Sequence, residues 1–138
     1  METKSNLEIH GWTEESYKPL IFSQDWQVAI LNWEPGAEVE AVHRVERHLL
    51  TDEVFVLLRG SGALVIIDPD GLRVVNTLQD TVYNVTKSTW HTVIGSRDSS
   101  WLIVEKKNTH LGDTEYRPLS EEEMETFFAE LPDWADRV

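Results

Sequence analysis

The sequence predicts an all-β chain, a sandwich or barrel of about eight short strands with a short C-terminal helix. Three observations lead there. The middle of the chain is a succession of short apolar, β-branched runs. Glycine- and proline-bearing turn signals separate those runs. Helical periodicity enters only at the edges of the chain, most clearly after Ser120. The 138 residues are expected to form one domain, with the barrel over about 20–110 and the helix over about 120–131.

The first clear strand is Trp26 to Trp33, closed by Glu34-Pro35-Gly36. Residues 10 to 20 read as irregular, with a short turn after Thr13. Glu38 to His48 is expected to be a long extended stretch. Val54 to Leu58 follows, and Arg59-Gly60-Ser61-Gly62 turns the chain into Ala63 to Ile67. In Asp68-Pro69-Asp70-Gly71, proline presets φ and glycine accepts the left-handed conformation, a strong reverse-turn signal. Leu72 to Thr77, Val82 to Val85, Trp90 to Ile94 and Trp101 to Lys106 complete the set. Ser120 and Glu123 have the spacing of a capping box, and Met124, Phe127, Phe128 and Leu131 form one stripe behind it. That stripe is expected to pack on the outer wall of the barrel.

Composition narrows the function classes. With 25 acidic and 12 basic residues the formal net charge is −13, a field that repels phosphate backbones, so nucleic acid is not an expected partner. Part of that charge lies in Glu121, Glu122, Glu123, Asp133 and Asp136, read as a solvated tail. No apolar run is long enough for a membrane span, so no membrane partner is expected. The first residues lack the apolar core of a secretory signal, which makes the cytoplasm the expected location. Cysteine is absent, which excludes disulfides and thiolate ligands. No phosphate-cradling glycine loop is present, and Ser88 and Ser96 have no base-plus-acid pattern around them.

Chemistry concentrates around His48. Glu46 and His48 are two residues apart, so on one strand they face the same way. Glu53 opens the following strand, and a short turn can swing it back beside His48. His91 begins a strand about forty residues later, and antiparallel pairing can bring it across the barrel. Two imidazoles and a carboxylate suit a first-row divalent metal, with Fe, Mn, Zn and Ni all compatible. By alternation, Phe55 and Leu57 share the face of Glu53, and Val93 shares that of His91, a largely apolar pocket wall. Trp90, next to a candidate ligand, is taken as part of the same pocket. Glu105 shares a face with Trp101 and Ile103 and reads as a barrel-end residue. His43 falls on the opposite face, and His10 and His110 have no spacing argument.

These residues carry a resemblance to the cupin superfamily, whose paired motifs read G-x5-H-x-H-x(3,4)-E-x6-G and G-x5-P-x-G-x2-H-x3-N. His48, Glu53 and Gly60 match the first in register, with Glu40 at the leading glycine and Glu46 at the first histidine. In the second only His91 matches; Asp80, Thr86, Ser88 and Gly95 stand at its glycine, proline, glycine and asparagine. The run from Thr51 to Gly60, with Tyr83-Asn84-Val85, Trp90-His91-Thr92 and Leu102 to Glu105, resembles small single-domain cupins over about residues 20 to 110. The resemblance implies an RmlC-like jelly-roll barrel whose metal ligands are His48, Glu53 and His91, assembled as a homodimer.

Glu46 departs from that pattern and has three readings. It is a fourth ligand, or a general base beside an open two-histidine, one-carboxylate centre, or a salt-bridge partner in a barrel without metal. The functions expected are a metal-dependent enzyme on a small organic substrate, whether dioxygenase, isomerase or lyase, or a non-catalytic small-ligand-binding protein. A metal-free isomerase using His48 or His91 for proton transfer is the third possibility.

Overall fold

Strand alternation decides the architecture. In the computed structural model, described over residues 6–135, the first strands are β1 (Ser16–Ser23), β2 (Trp26–Asn32), β3 (Arg44–His48), β4 (Glu53–Arg59) and β5 (Gly62–Asp68). Then come β6 (Gly71–Thr77), β7 (Tyr83–Val85), β8 (His91–Gly95), β9 (Ser100–Lys106), α1 (Thr109–Gly112), β10 (Thr114–Pro118) and α2 (Glu121–Ala129). The strands form two five-stranded antiparallel sheets in the orders β1-β2-β9-β4-β7 and β10-β3-β8-β5-β6. This is the jelly roll expected, with one change. Among the described residues no strand belongs to both sheets, so the barrel is open at its seams and the sheets meet through side chains.

Two cores result. Ala29, Phe55, Leu57, Val85, Trp101 and Ile103 from one sheet meet Leu64 of the other between the layers. On the outer face of the second sheet, Ala63, Val65, Leu72 and Ile94 pack against Phe127, Phe128, Leu131 and Trp134. Thus β5 is buried on both faces, which is why Ala63 to Ile67 is an unbroken apolar run. The capping box forms: the Ser120 hydroxyl accepts from the Glu123 N–H, and the Glu123 carboxylate accepts from the Ser120 N–H. Glu121, Glu122 and Glu123 are therefore the first turn of α2, where negative charge meets the helix dipole, and not a tail. Asp136 lies outside the described residues.

The strands missed in the sequence are both edges. β1 contains Pro19, with a register break between Pro19 and Ile21, and β10 is short, polar and ends in Pro118. Proline is confined to edges because it donates nothing to the ladder, and edges are kept polar to discourage pairing with other chains. The expected extended stretch from Glu38 is broken by a 3-10 turn at Val39–Ala41. No helix among the described residues is long and apolar enough to cross a membrane.

The inner core depends on a missing side chain. A Cβ on Gly62 would lie 2.2 Å from Cζ2 of the buried Trp101 ring. Overpacking of this kind costs about 1–3 kcal/mol. Gly62→Ala is expected to lower the urea midpoint accordingly at unchanged m-value, and a midpoint equal to wild type would refute the close approach.

Candidate metal centre

The two sheets bring their polar residues to the same end of the sandwich. β3 and β8 pair through Glu46 and His91, and Glu46, His48 and His91 face inward from that sheet. From the other sheet, Glu53 opens β4 and Glu105 lies near the end of β9, one step beyond the Val54–Val104 pair. His48 Nε2 and His91 Nε2 each stand 2.9 Å from Glu53 Oε1. Glu46 Oε2 is 3.9 Å and Glu105 Oε1 3.8 Å from His48 Nε2. Glu46, His48 and His91 form one cluster of converging ligand atoms, and His48, Glu53 and Glu105 a second.

The backbone and two hydroxyls orient both rings. His91 Nδ1 is 2.9 Å from the carbonyl oxygen of Thr89, which only accepts, so Nδ1 carries a proton. His48 Nδ1 lies 2.8 Å from Thr114 Oγ1 and 3.2 Å from Thr109 Oγ1. Each hydroxyl spends its hydrogen elsewhere, Thr114 on the Thr109 carbonyl and Thr109 on Asp113 Oδ1. Both oxygens therefore accept from His48, whose Nδ1 also carries a proton. Each neutral ring then points an Nε2 lone pair at the same carboxylate oxygen. Two ring nitrogens each 2.9 Å from one carboxylate oxygen need cations between them, whether protons or a metal ion.

The donor set fits a metal. Ligands at right angles around an ion with bonds of about 2.1 Å stand about 3.0 Å apart, and opposed ligands about 4.2 Å. The 2.9 Å separations match adjacent positions of such a cage, and Glu46 and Glu105, 3.8–3.9 Å from His48 Nε2, fall between the adjacent and opposed values. Glu105 Oε1 is moreover buried with no hydrogen-bond partner, the state of an acceptor that lacks its cation. This buried histidine and glutamate group could hold a metal ion.

Without one, protons serve. Burial would push His48 and His91 down, but hydrogen bonds to Glu53 and the charges of Glu53 and Glu46 outweigh it and raise both. Burial likewise pushes Glu53 up, and the two imidazoles outweigh it and hold its carboxyl below the usual range. These shifts are one interaction seen from three groups.

Phe55 and Leu57 lie inside the core with Trp101, and Val93 packs against them, while a cavity of about 290 Å³ lined by Leu64, Ile66, Tyr83, Val85 and Thr89 lies between the sheets beside His91. Edge-to-face contacts run from Trp101 through Phe55 to His91. Trp90 is on the other side of its sheet. Its ring lies between the guanidinium groups of Arg47 and Arg117, which share the outer face of β3 and β10. Its neighbour His91 faces in, and alternation turns Trp90 out.

The cluster meets solvent at two side chains, Glu46, which is 30% exposed, and His110, which is 37% exposed. His110, on α1, comes within 3.7 Å of Glu105 Oε2 and packs its ring edge-on to His48. Glu105, at the end of the barrel as its position near the end of β9 implies, is also inward and buried; its alternation with Trp101 and Ile103 was the signal. His110, Tyr17, Thr109 and Thr114 come from elements with no periodic signature. His43 is exposed, as its face implies, and His10 lies in the exposed N-terminal arm beside Glu8.

No protein-family model and no curated protein matches this sequence. Solved structures do. A cupin-2 domain-containing protein from Shewanella frigidimarina superposes with a TM-score of 0.53 at 18% identity, over 70% of this chain and 85% of that one. An RmlC-like cupin with a double-stranded β-helix fold from Methanocaldococcus jannaschii gives a TM-score of 0.56 at 9% identity, over 78% and 96%. Oxalate decarboxylase from B. subtilis gives 0.53 at 12% identity, over 77% of this chain and 29% of that longer one. At these identities the likeness is one of fold.

The ion cluster sets a pH dependence. His48 and His91 titrate above the ordinary 6.5, so their share of stability is complete below pH 6.5 and is lost as pH rises through their folded values. Glu53 titrates below the ordinary 4.5, so its share is complete above pH 4.5 and is lost as pH falls through its folded value. Chelator-treated protein is expected to have its highest urea midpoint between those two ordinary values, and to weaken as pH rises to about 9. A midpoint that stays level over that alkaline limb would contradict the arrangement, and Glu53→Gln is expected to flatten it.

Proposed function

We propose that this chain, a cupin in fold, is a metal-dependent enzyme that acts on a small organic molecule at the His48, Glu53 and His91 centre. One observation carries the reading: two oriented Nε2 lone pairs and a carboxylate oxygen converge on one buried point. A divalent ion satisfies all three together. Fe, Mn, Zn and Ni each accept this donor set, and its carboxylate content favours Mn or Fe over Cu. When bound, the ion supplies Lewis-acid polarisation of a substrate oxygen. Isomerase, lyase and dioxygenase chemistry are all compatible with that role.

The chain's own residues do the rest. Thr109, Thr114 and the Thr89 carbonyl hold the two rings in their ligating orientation. Glu46 stands at the solvent edge of the cluster, its carboxyl raised first by burial and then by the charge of Glu53. A carboxyl shifted toward neutral pH is a suitable proton acceptor and donor for a substrate atom. Tyr116 lies opposite Glu46 across the β3–β10 pair, under the Arg44 guanidinium, and offers a phenol to the same space. A structure of like fold, a Streptomyces protein solved with uridine (TM-score 0.53), supports the small-molecule class.

The cavity between the sheets, lined by Leu64, Ile66, Tyr83, Val85 and Thr89, favours a second reading, a non-catalytic protein that binds a small ligand there without metal. Metal content by mass spectrometry on untagged protein separates the two. Near-stoichiometric metal is expected in wild type and its loss in His48→Ala and His91→Ala. Wild type that stays empty after incubation with iron, manganese, zinc or nickel would overturn the metalloenzyme reading. A homodimer is the expected assembly, because the edge strand β6 leaves ladder groups for a second copy. Light scattering is expected to give twice the chain mass, and a concentration-independent monomer would refute it.

A further inference from the structure

We infer that Glu105 is the carboxylate that completes the metal's ligand sphere, with Tyr17 and Gln27 as its positioning residues, and that Glu46 is left free at the solvent edge. The inference rests on the metal reading of the centre and adds a ligand that the cupin motifs do not contain.

The two carboxylates flanking His48 differ in burial and in what holds them. Both bring an oxygen to within 3.8–3.9 Å of His48 Nε2. Glu105 has a side chain only 1% exposed, whereas Glu46 keeps 30% in solvent. The Tyr17 hydroxyl donates to Glu105 Oε2, and Gln27 Nε2 in turn donates to the Tyr17 oxygen at 2.9 Å. One oxygen of Glu105 is thereby fixed, and the carboxylate plane with it. The other, Oε1, is buried and has no hydrogen-bond partner among the described residues, and it lies 3.8 Å from His48 Nε2 in the cluster with His48 and Glu53. A fixed carboxylate presenting one unpartnered oxygen to two other ligand atoms is the arrangement expected of a monodentate ligand. Glu46 has no hydrogen bond from a described residue to hold it, so it can turn between the ion and a substrate.

The register explains the placement. Gln27 pairs with Glu105 across β2 and β9, and Tyr17 reaches the same point from β1, two strands away from the Glu105 strand. The ligand is thus held by the sheet opposite to the one that carries both histidines.

Titration calorimetry with manganese(II) alone, on wild type and on Glu105→Gln, Tyr17→Phe and Glu46→Gln, tests this. Glu105→Gln keeps the shape of the side chain, and is expected to weaken manganese binding by about 100-fold or more. Tyr17→Phe, which removes only the holding hydroxyl, is expected to weaken it about tenfold. Glu46→Gln is expected to stay within about threefold of wild type. The visible absorption of the cobalt(II)-loaded protein is expected to change in Glu105→Gln and to stay as in wild type in Glu46→Gln. Should Glu105→Gln fold poorly, the Tyr17→Phe affinity and its cobalt spectrum decide. Wild-type binding with Glu105→Gln or Tyr17→Phe unaffected would overturn this assignment and leave the metal centre standing. A wild type that binds neither ion would overturn both.

Discussion

A single buried carboxylate organises this molecule. Glu53 is buried between two imidazoles at one end of the sandwich, and its charge must be compensated where it stands. The compensation comes from the other sheet, so the cluster joins two layers that no hydrogen-bonded strand joins. The interior therefore changes character along the strands. At one end Trp101 fills the space against Gly62 and Gly95, and at the other Glu105, on the same strand and face, faces the histidines. Alternation alone carries each strand from dry core to charged centre within a few residues.

Local pattern and long-range assembly were legible to different degrees. The inward faces of β4 and β8 followed from period-two alternation, and so did the grouping of Glu46 with His48. Trp90 shows how that rule misleads when it is set aside: the residue beside a ligand on a strand faces away from it. Glu105 showed the reverse error, an inward position discounted because strand ends are uncertain. Tyr17, Thr109, His110 and Thr114 had no local signal, since β1 and β10 are short or proline-bearing edges and α1 is a single turn. Edge strands are selected for polarity, and polarity is what makes them look like loops.

The outer face of the histidine sheet has its own logic. Arg117 stacks on Trp90 while making a two-pronged contact with Glu123, the residue that also closes the capping box of α2. Arg47 covers the other side of Trp90 and pairs with Glu115. The helix start, the last strand and the segment leading into His91 are tied together on the outer, partly exposed face of the histidine sheet. A rigid backing of this kind is what holds a ligand ring to the tolerance that coordination requires.

The stretch from Thr109 to Arg117 supplies the hydroxyls that orient His48, the histidine at the solvent edge and the arginine that clasps Trp90. Copying His48, Glu53 and His91 alone into a different jelly roll would transplant the donor groups without their orientation. A designer who wished to move this centre would have to carry that late strand and its single helical turn along with it.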